Sequence, residues 1–269
     1  MERIKKALEM AREERSAREA SPQERGVERE RKPVVESGIQ YSQTKVLKLD
    51  PSVLKENRVI LGREDPDGAT AYKMLRTQVL QRMVAKGWNA LAITSPAAGD
   101  GKTTVATNLA ISLARELHHT VLLVDLDLRN PGVHKTLGFS PERGISDYLL
   151  HGAALGEILV NPGIERLVLL PGREAIENSS EILASPPMGA LVQELKSRYP
   201  SRFVLFDLPP ILSADDALAF SPFVDAFLLV LREKKTSRIE VQHAVELLKD
   251  VPILGTVLNG SSERISSYY

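Results

Sequence analysis

The chain has 269 residues, enough for one sizeable folded domain with terminal extensions. Its 35 lysine and arginine residues balance 35 acidic residues, so no overall basic field favours nucleic acid as a partner. The absence of cysteine excludes disulfides and thiolate metal sites and is typical of a reducing cytoplasm. No apolar run approaches the roughly 20 residues of a membrane-spanning helix, and the N-terminus lacks the apolar segment of a secretion signal. We therefore expect a cytoplasmic protein that meets a membrane only through a partner.

Residues 1–60 differ from the rest and are predicted to form a charged helix and a linker. Residues 1–20 are dense in Glu, Arg and Lys, with small and apolar side chains at helical spacing. Two interpretations remain open for this segment: a disordered arm, or a docking helix that presents its apolar face to another protein. Residues 44–54 are expected to form a short strand and turn. A folded domain is predicted over residues 61–260, followed by a C-terminal tail, residues 261–269.

Beyond the linker, apolar strands alternate with helices. A helix is expected over residues 69–85, since apolar side chains recur on one face and Gly87 offers a C-terminal cap. Short apolar runs predict the strands Ala90–Ile93, Val121–Val124, Leu167–Leu170, Phe203–Phe206, Ala226–Leu231 and Ile253–Leu258. The helices between them include Ser180–Arg198 and Ser237–Lys249. This alternation predicts an α/β fold, with a parallel β-sheet flanked by helices on both faces.

The segment after the first of these strands has the composition of a phosphate-binding loop. It has the sequence Ala98-Gly99-Asp100-Gly101-Lys102-Thr103-Thr104 and opens a helical segment. Glycines allow backbone N–H groups to converge on a polyphosphate, and the helix N-terminus adds partial positive charge. Lys102 is expected to reach the β- and γ-phosphates, and the Thr103 hydroxyl to ligate Mg²⁺. Pro96 stands where the usual pattern has glycine, which favours an ordinary turn, but the strand–loop–helix context favours a nucleotide site.

Two further strands end in acidic residues. Asp125 and Asp127 follow the strand Val121–Val124, and Asp207 follows Phe203–Phe206. Because ligands bind at the carboxyl ends of parallel strands, all three carboxylates are expected to face the phosphates. Carboxylates in this position hold Mg²⁺ or act as a base. A single acidic residue there is usually a helix cap, whereas three of them after a phosphate loop indicate a catalytic site.

These segments resemble the Walker A, Walker A′ and Walker B motifs of the bacterial tyrosine autokinases of exopolysaccharide synthesis, often called BY-kinases. The matching stretches are Gly99–Thr104, Leu123–Pro131 and Phe206–Pro210. The Asp-x-Asp-x-Arg-x-Pro pattern of the second stretch is the specific element, since general P-loop ATPases lack it. The resemblance extends from about residue 65 to the C-terminus. It is greatest to the stand-alone cytoplasmic members associated with exosortase and exopolysaccharide loci.

The resemblance implies a P-loop domain of the deviant-Walker type that uses ATP and Mg²⁺ to phosphorylate tyrosine, with ATP hydrolysis as a side activity. The implied catalytic residues are Lys102, Asp125, Asp127 and Asp207, and the implied metal ligands are Thr103, Asp125 and Asp207. The implied nucleotide contacts are Ala98, Gly99, Asp100, Gly101, Lys102, Thr103, Thr104, Arg129 and Asn259. Asp127 is expected to take the proton of the tyrosine, because a phenol with a pKa near ~10 is a poor nucleophile at neutral pH. Asn259 corresponds to an adenine contact of the family, although an Asn-Gly pair is also a common turn.

The C-terminal tail carries the implied phosphoacceptors, Tyr268 and Tyr269. The tail has no apolar periodicity that would place these tyrosines in a core, and an exposed terminus is accessible to modification. We expect phosphoryl transfer in trans, between subunits, because the strand before Asn259 directs the tail outward from the nucleotide side.

The resemblance also implies partners. These are self-association, a transmembrane polysaccharide co-polymerase or chain-length regulator on a separate chain, and a cognate tyrosine phosphatase; no nucleic acid is expected. The protein would then act peripherally at the inner face of the cytoplasmic membrane and regulate exopolysaccharide polymerisation and export. The family's Glu-x-x-Arg-x-x-Arg assembly motif is altered here to Thr70, Lys73 and Arg76, which weakens the expectation of a salt-bridged ring.

Two other functions remain open from the sequence. Septum-site and chromosome-partitioning ATPases share the fold expected here and act as nucleotide switches that organise membrane complexes. They carry an extra lysine early in the phosphate loop, where this chain has Pro96-Ala97. The second of these functions is that of a metabolic kinase. Such an enzyme would need a substrate pocket or lid, and the sequence offers no obvious segment for one.

Overall fold

The computed structural model describes residues 44–62, 65–116, 118–199 and 201–262. The predicted N-terminal helix and the two tail tyrosines lie outside these ranges. Eight strands are described: β1 (Lys45–Val46), β2 (Ala90–Thr94), β3 (Thr120–Asp125), β4 (Val160–Asn161), β5 (Leu167–Leu170), β6 (Arg202–Asp207), β7 (Ala226–Arg232) and β8 (Ile253–Asn259). They form one sheet in the order β1-β4-β5-β3-β6-β2-β7-β8. Neighbouring strands are parallel except β4 and β5, which are antiparallel, so the predicted parallel α/β sheet is confirmed with an irregular edge.

The helices lie between the strands. They are α1 (Pro51–Glu56), α2 (Pro66–Lys86), α3 (Lys102–Ala114), α4 (Val133–Leu137), α5 (Ile145–His151), α6 (Leu155–Ile158), α7 (Ser179–Leu183), α8 (Pro186–Ser197), α9 (Asp216–Phe220) and α10 (Arg238–Leu247), with a 3₁₀ turn at Ser221–Phe223. None of the helices in the described ranges is both long and apolar enough to cross a bilayer.

The single helix predicted over Ser180–Arg198 is wrong, because the chain breaks into α7 and α8. Ser185 adopts an extended conformation between them, and its side chain accepts a hydrogen bond from the N–H of Met188, which caps α8. Pro186 and Pro187 follow. Neither has an N–H to continue the hydrogen bonding of a preceding helix, so the chain can start a helix here but cannot extend one.

The hydrophobic core covers both faces of the sheet. On one face, residues of β3 and β6 pack around Phe206 and Phe220; on the other, the same sheet packs against Leu109 and its neighbours on α3. Ten consecutive residues of α3, Val105–Ala114, are buried. The helix that begins at the phosphate loop is therefore fixed in the core, and the carboxyl ends of β2, β3 and β6 hold the loop and the acidic residues in place.

Part of the predicted linker belongs to the folded domain. Leu54 and Val59 are buried against the second face of the sheet. The side-chain amide of Asn108, on α3, donates to the Arg58 carbonyl at 2.9 Å, and its oxygen accepts the N–H of Ile60 at 2.8 Å. The domain therefore begins before the boundary expected from the sequence, and α1 stands where only a turn was predicted.

The packing of α2 can be tested at two methionines on the same helix. Met83 has 0% exposure, whereas Met74 is 53% exposed. We predict that Met83→Ala lowers the free energy of unfolding by about 2–5 kcal/mol, because it leaves a cavity in the core. Met74→Ala should change it by no more than about 0.5 kcal/mol. Urea denaturation of both variants measures this, and equal losses in the two would contradict the packing of α2.

Candidate nucleotide-binding and catalytic site

The loop between β2 and α3 has the shape of an anion-binding turn. Gly99 and Gly101 have φ values of 80° and 93°, in the left-handed region that favours glycine. The carboxylate of Asp100 folds back and accepts the N–H of Ala97 at 3.0 Å, which closes the turn. The first N–H groups of α3, which starts at Lys102, lack acceptors within the helix. The loop therefore presents donors and the partial positive charge of a 13-residue helix to an anion.

Lys102 lies at the centre of the site, enclosed by acidic side chains. Its Nζ donates to Asp127 Oδ2 at 2.7 Å and to the Thr103 hydroxyl at 3.2 Å, and it lies 3.8 Å from Asp207 Oδ1. Only 12% of the lysine side chain is exposed. Burial alone would lower the pKa of Lys102, but the charges of Asp207 and Asp127 outweigh it and raise that pKa. The lysine is therefore a fixed positive charge at neutral pH.

Carboxylate and hydroxyl oxygens of three further side chains lie beside this lysine. Asp125 and Asp207 are opposite each other in the register of β3 and β6, and both are fully buried. The Thr103 hydroxyl donates to Asp207 Oδ2 at 2.7 Å, and Asp125 Oδ2 accepts the N–H groups of Gly132 and Val133, each at 2.9 Å. Within the described residues, the Oδ1 atom of each carboxylate has no hydrogen-bond partner. Hydroxyl and carboxylate oxygens are the hard ligands that Mg²⁺ prefers, so these residues fit that metal.

The crowding of these carboxylates changes their ionisation. Burial, and then the neighbouring charge of Asp207, raises the pKa of Asp125 to about 7. Burial also raises the pKa of Asp207, although Lys102 and the Thr103 hydroxyl oppose this. A divalent cation would favour the ionised form of both carboxylates, so its binding would release protons near neutral pH.

Asp127, the candidate base, is engaged at both oxygens. Its Oδ2 accepts the ammonium of Lys102, and its Oδ1 accepts the backbone N–H of Asn130 at 3.0 Å. The Asn130 contact fixes the direction of the carboxylate. The Lys102 contact occupies one lone pair of Oδ2.

Arg129, expected at the nucleotide, lies against the segment that follows β6. Its Nε donates to Asp216 Oδ2 at 2.9 Å, and its Nη2 lies 3.6 Å from Asp215 Oδ1. Asp216 is buried and also accepts the Ser179 hydroxyl. Asp216 was not predicted from the sequence, because an acidic residue in the first turn of a helix is usual. Arg129 thus joins the Walker A′ segment to the residues after the Walker B strand, and its contact with a nucleotide stays a prediction.

Two side chains reach the phosphate loop from the ends of β7 and β8. Asn259 Nδ2 donates to the Asp100 carbonyl at 2.9 Å, and a Cβ on Gly101 would stand only 2.0 Å from that nitrogen. Lys235 Nζ donates to the Ala98 carbonyl. Asn259 was singled out from the sequence. Lys235 was missed, since it stands in a charged run that is typical of a solvated turn.

A cavity of about 1030 Å³ adjoins the loop on the same side. Thr104 and Asn259 lie in its wall, together with residues 58–62 and the first half of α2. Tyr72 also lines it, and burial raises the pKa of Tyr72 to about 12. The volume is of the order that small-molecule sites have. The adenine contact predicted for Asn259 would place the base in this cavity.

Comparison with known proteins agrees with this geometry. The CobQ/CobB/MinD/ParA nucleotide binding domain family matches residues 91–265. The tyrosine-protein kinase CpsD of Streptococcus agalactiae is 31% identical over 202 residues, which cover 73% of this chain and 84% of CpsD. The chain belongs to the bacterial tyrosine-protein kinases. The kinase domain of the Escherichia coli tyrosine kinase ETK has a TM-score of 0.69 at 28% identity, over 84% of this chain and 91% of that domain.

A second structural relative represents the switch ATPases. The septum site-determining protein MinD of Pyrococcus horikoshii, solved with Mg-ADP, has a TM-score of 0.55 at 28% identity, over 65% of this chain and 72% of MinD. The kinase therefore shares the P-loop fold of these nucleotide-binding proteins, as the sequence predicts.

The altered assembly motif of this kinase makes contacts within its own chain. Arg76 Nη2 lies 3.1 Å from Glu116 Oε1, and Nη1 donates to the Ser112 carbonyl at 3.3 Å. The Thr70 hydroxyl donates to the Pro66 carbonyl. Self-association through α2 stays a prediction.

The raised pKa of Asp125 predicts a dependence of stability on pH. Because the folded chain binds the Asp125 proton more tightly than the unfolded chain does, this group stabilises the fold most at low pH, and the contribution is lost as the pH rises from about 4 to about 7. Asp125→Asn should therefore gain stability over wild type at pH 8 and little at pH 5, in thermal unfolding without metal or nucleotide. Asp250→Asn, an exposed control, should follow wild type at both values. A difference between Asp125→Asn and wild type that does not change with pH would contradict the assignment.

Proposed function

We propose that this chain is a Mg-ATP-dependent protein-tyrosine autokinase that regulates exopolysaccharide polymerisation and export. The observation that supports this most directly is the cluster of Lys102, Thr103, Asp127 and Asp207, which lies within hydrogen-bond or ion-pair distance at the start of α3. The relatives named tyrosine-protein kinases support the choice of reaction.

The loop and its lysine would hold the nucleotide. Backbone N–H groups at the start of α3 and the ammonium of Lys102 would bind the phosphates of ATP, and Thr103, Asp125 and Asp207 would hold Mg²⁺. Bound Mg²⁺ would neutralise the charge that develops on the transferred phosphoryl group. Mg-ADP bound to the related MinD supports this choice of ligand.

Asp127 would then accept the proton of the tyrosine. Its Oδ2 is paired with Lys102 in the structure. When Lys102 turns to the phosphates of ATP, Oδ2 loses this partner, while the hydrogen bond from Asn130 still fixes the carboxylate. The proton of the phenol passes to Oδ2 as the phenolic oxygen attacks the γ-phosphorus and the bond to ADP breaks. The base thus becomes available only when the donor is bound.

The acceptors would be Tyr268 and Tyr269 of a neighbouring subunit. Both lie outside the described residues. The described chain leaves β8 at Asn259 and continues to Ser262, where the side chain of Glu233 accepts the backbone N–H and the hydroxyl. This contact holds the start of the tail on the turn after β7. We further propose that a transmembrane polysaccharide co-polymerase recruits the kinase to the inner face of the membrane and that a cognate phosphatase reverses the modification.

The assignment of the base gives the first test of the reaction. Asp127→Asn should lower the rate of phosphotyrosine formation by about 10²–10⁴-fold, the usual cost of losing a general base. It should still bind ADP, because Asn has the same shape as Asp and leaves Lys102 able to turn to the phosphates. Lys102→Met should lose both nucleotide binding and phosphotyrosine. Mass spectrometry after incubation with ATP, with a parallel ADP titration, measures both quantities. A wild-type rate in Asp127→Asn would exclude this base.

Transfer between subunits can be tested by mixing two variants. One chain carries Lys102→Met with its tail intact, and the other is active but carries Phe at positions 268 and 269. We expect phosphotyrosine to accumulate on the inactive chain, at a rate that rises with the concentration of the active chain. The inactive chain alone is the control. If it stays unmodified in the mixture, transfer in trans is wrong.

The second candidate function is a nucleotide-switched ATPase that organises a membrane-associated complex without phosphorylating it. The structural likeness to MinD is the observation behind this alternative, and its TM-score of 0.55 is lower than the 0.69 of the ETK kinase domain. The two functions differ in their product. ADP formation without phosphotyrosine on residues 261–269, for the wild-type chain with and without added membrane fractions, would favour the switch.

A further inference from the structure

A second lysine lies directly on the phosphate loop. The Nζ atom of Lys235 donates to the Ala98 carbonyl and lies 3.6 Å from Asp100 Oδ1. A Cβ built on Gly99 would stand 2.8 Å from the same Nζ. The ammonium group therefore covers the three residues that precede Gly101 and Lys102.

The turn that carries Lys235 is built to place it there. Arg232 ends β7, and its carbonyl accepts the N–H groups of Lys235 and Thr236 at 3.2 and 3.0 Å. The Thr236 hydroxyl accepts the N–H of Arg232 at 2.7 Å. Lys234 has a φ of 60°, a left-handed conformation that costs a non-glycine residue energy and persists only where its surroundings impose it. The chain thus accepts backbone strain next to the residue that reaches the loop.

The far side of this turn is fixed by the helix that follows. Ser237 and Glu240 form a capping box at the start of α10, in which the serine side chain accepts the Glu240 N–H and the glutamate accepts the Ser237 N–H. The backbone N–H of Glu233 donates to the Asn259 carbonyl at 3.1 Å. The turn that carries Lys235 is therefore hydrogen-bonded to Asn259 on one side and continues into a capped helix on the other.

Lys235 and Lys102 are held in different ways. Lys102 is 12% exposed and has two carboxylate partners. Lys235 is 49% exposed, and its one hydrogen bond to the loop is to a neutral carbonyl. The carboxylate of Asp100 is too far for a hydrogen bond with it. A half-exposed lysine that is hydrogen-bonded to one neutral carbonyl can exchange that acceptor for a phosphate oxygen, and the exchange lengthens only the 3.6 Å ion pair with the buried Asp100.

The charges around the loop favour this exchange. Within the described residues, ion pairs between cationic side chains and the aspartates at positions 100, 127 and 207 come from Lys102 and Lys235. A polyphosphate adds several negative charges to a site that is already rich in carboxylates. The carboxylates of Asp127 and Asp207 neutralise most of the positive charge of Lys102. The approaching phosphates therefore need another cation besides the metal.

We propose that Lys235, on the turn after β7, is a second phosphate-binding lysine of this site. Its ammonium group leaves the Ala98 carbonyl and binds the polyphosphate of a nucleoside di- or triphosphate. This inference rests on nucleotide binding at the loop and is independent of tyrosine phosphorylation. Its ligand is the phosphate chain, so adenosine, which lacks phosphates, should not depend on Lys235.

The neighbouring Lys234 provides a matched control. It lies on the same turn, its side chain is 77% exposed, and its Nζ approaches Glu233 and Ser262 and not the loop. Lys235→Met and Lys234→Met remove the same charge from adjacent positions, so a general electrostatic effect would be alike in the two. A contact with phosphate would be lost in only one.

Titration calorimetry with ADP and with adenosine, in the presence of Mg²⁺, tests the proposal. Lys235→Met should weaken ADP binding roughly tenfold, the size of one charge-assisted hydrogen bond, and should leave the affinity for adenosine within about twofold of wild type. The loss should shrink as the salt concentration rises, because a partly exposed charge pair is screened. Lys235→Arg should restore most of the affinity, and Lys234→Met should bind as wild type does.

These measurements distinguish a contact between Lys235 and phosphate from a purely structural role of Lys235 in supporting the loop. Equal ADP affinity in Lys235→Met and wild type would overturn the proposal. Equal losses of affinity for ADP and adenosine, together with a lower melting temperature of the nucleotide-free variant, would also overturn it. A lysine that only supports the loop would affect both ligands. Failure of wild type to bind ADP would exclude the nucleotide site itself, whereas absence of phosphotyrosine would exclude only the kinase reaction.

Discussion

Three buried carboxylates surround one buried ammonium group at the carboxyl edge of the sheet, and the rest of the described site depends on this imbalance of charge. Lys102 can neutralise only part of the charge of Asp125, Asp127 and Asp207. Buried charges without partners are costly, and burial together with the charge of Asp207 raises the pKa of Asp125 to about 7. Under the function proposed above, binding of Mg²⁺, loss of the Asp125 proton and release of Asp127 from Lys102 would therefore be linked events.

Much of the fold could be predicted from the sequence because its central strands are buried on both faces. Such strands are continuous apolar runs, and their carboxyl ends meet at one edge, which is why a phosphate loop and three aspartates at the ends of two other strands could be placed together. The short strand predicted within residues 44–54 is present as β1. Strand β4 was not predicted, since two residues are too few for any periodicity. The helix break at Ser185 shows that a pair of prolines outweighs apolar spacing on either side of it.

The residues of the candidate site were easier to predict from the sequence than the contacts that their side chains make. Arg129 stands in a recognisable motif, yet its guanidinium lies on Asp216, which is far along the chain and gives no pattern of its own. Lys235 lies within a run of charged residues, and only the strained turn at Lys234 and the fold of β7 bring it to Ala98. Where a long side chain ends depends on tertiary neighbours and loop conformation, and a single sequence does not encode these as a local pattern.

The hydrogen bonds between Glu233 and Ser262 bear on the proposed phosphorylation of Tyr268 and Tyr269. From Ser262 to Tyr268 is six residue steps, and an extended chain of that length spans at most roughly 20 Å. If transfer occurs in trans as we propose, the phosphate loop of another chain has to come within that distance while Ser262 stays bound to Glu233. A brief collision in a random orientation would rarely meet this condition. Under this proposal, the degree of modification would measure how well the subunits are arranged around one another.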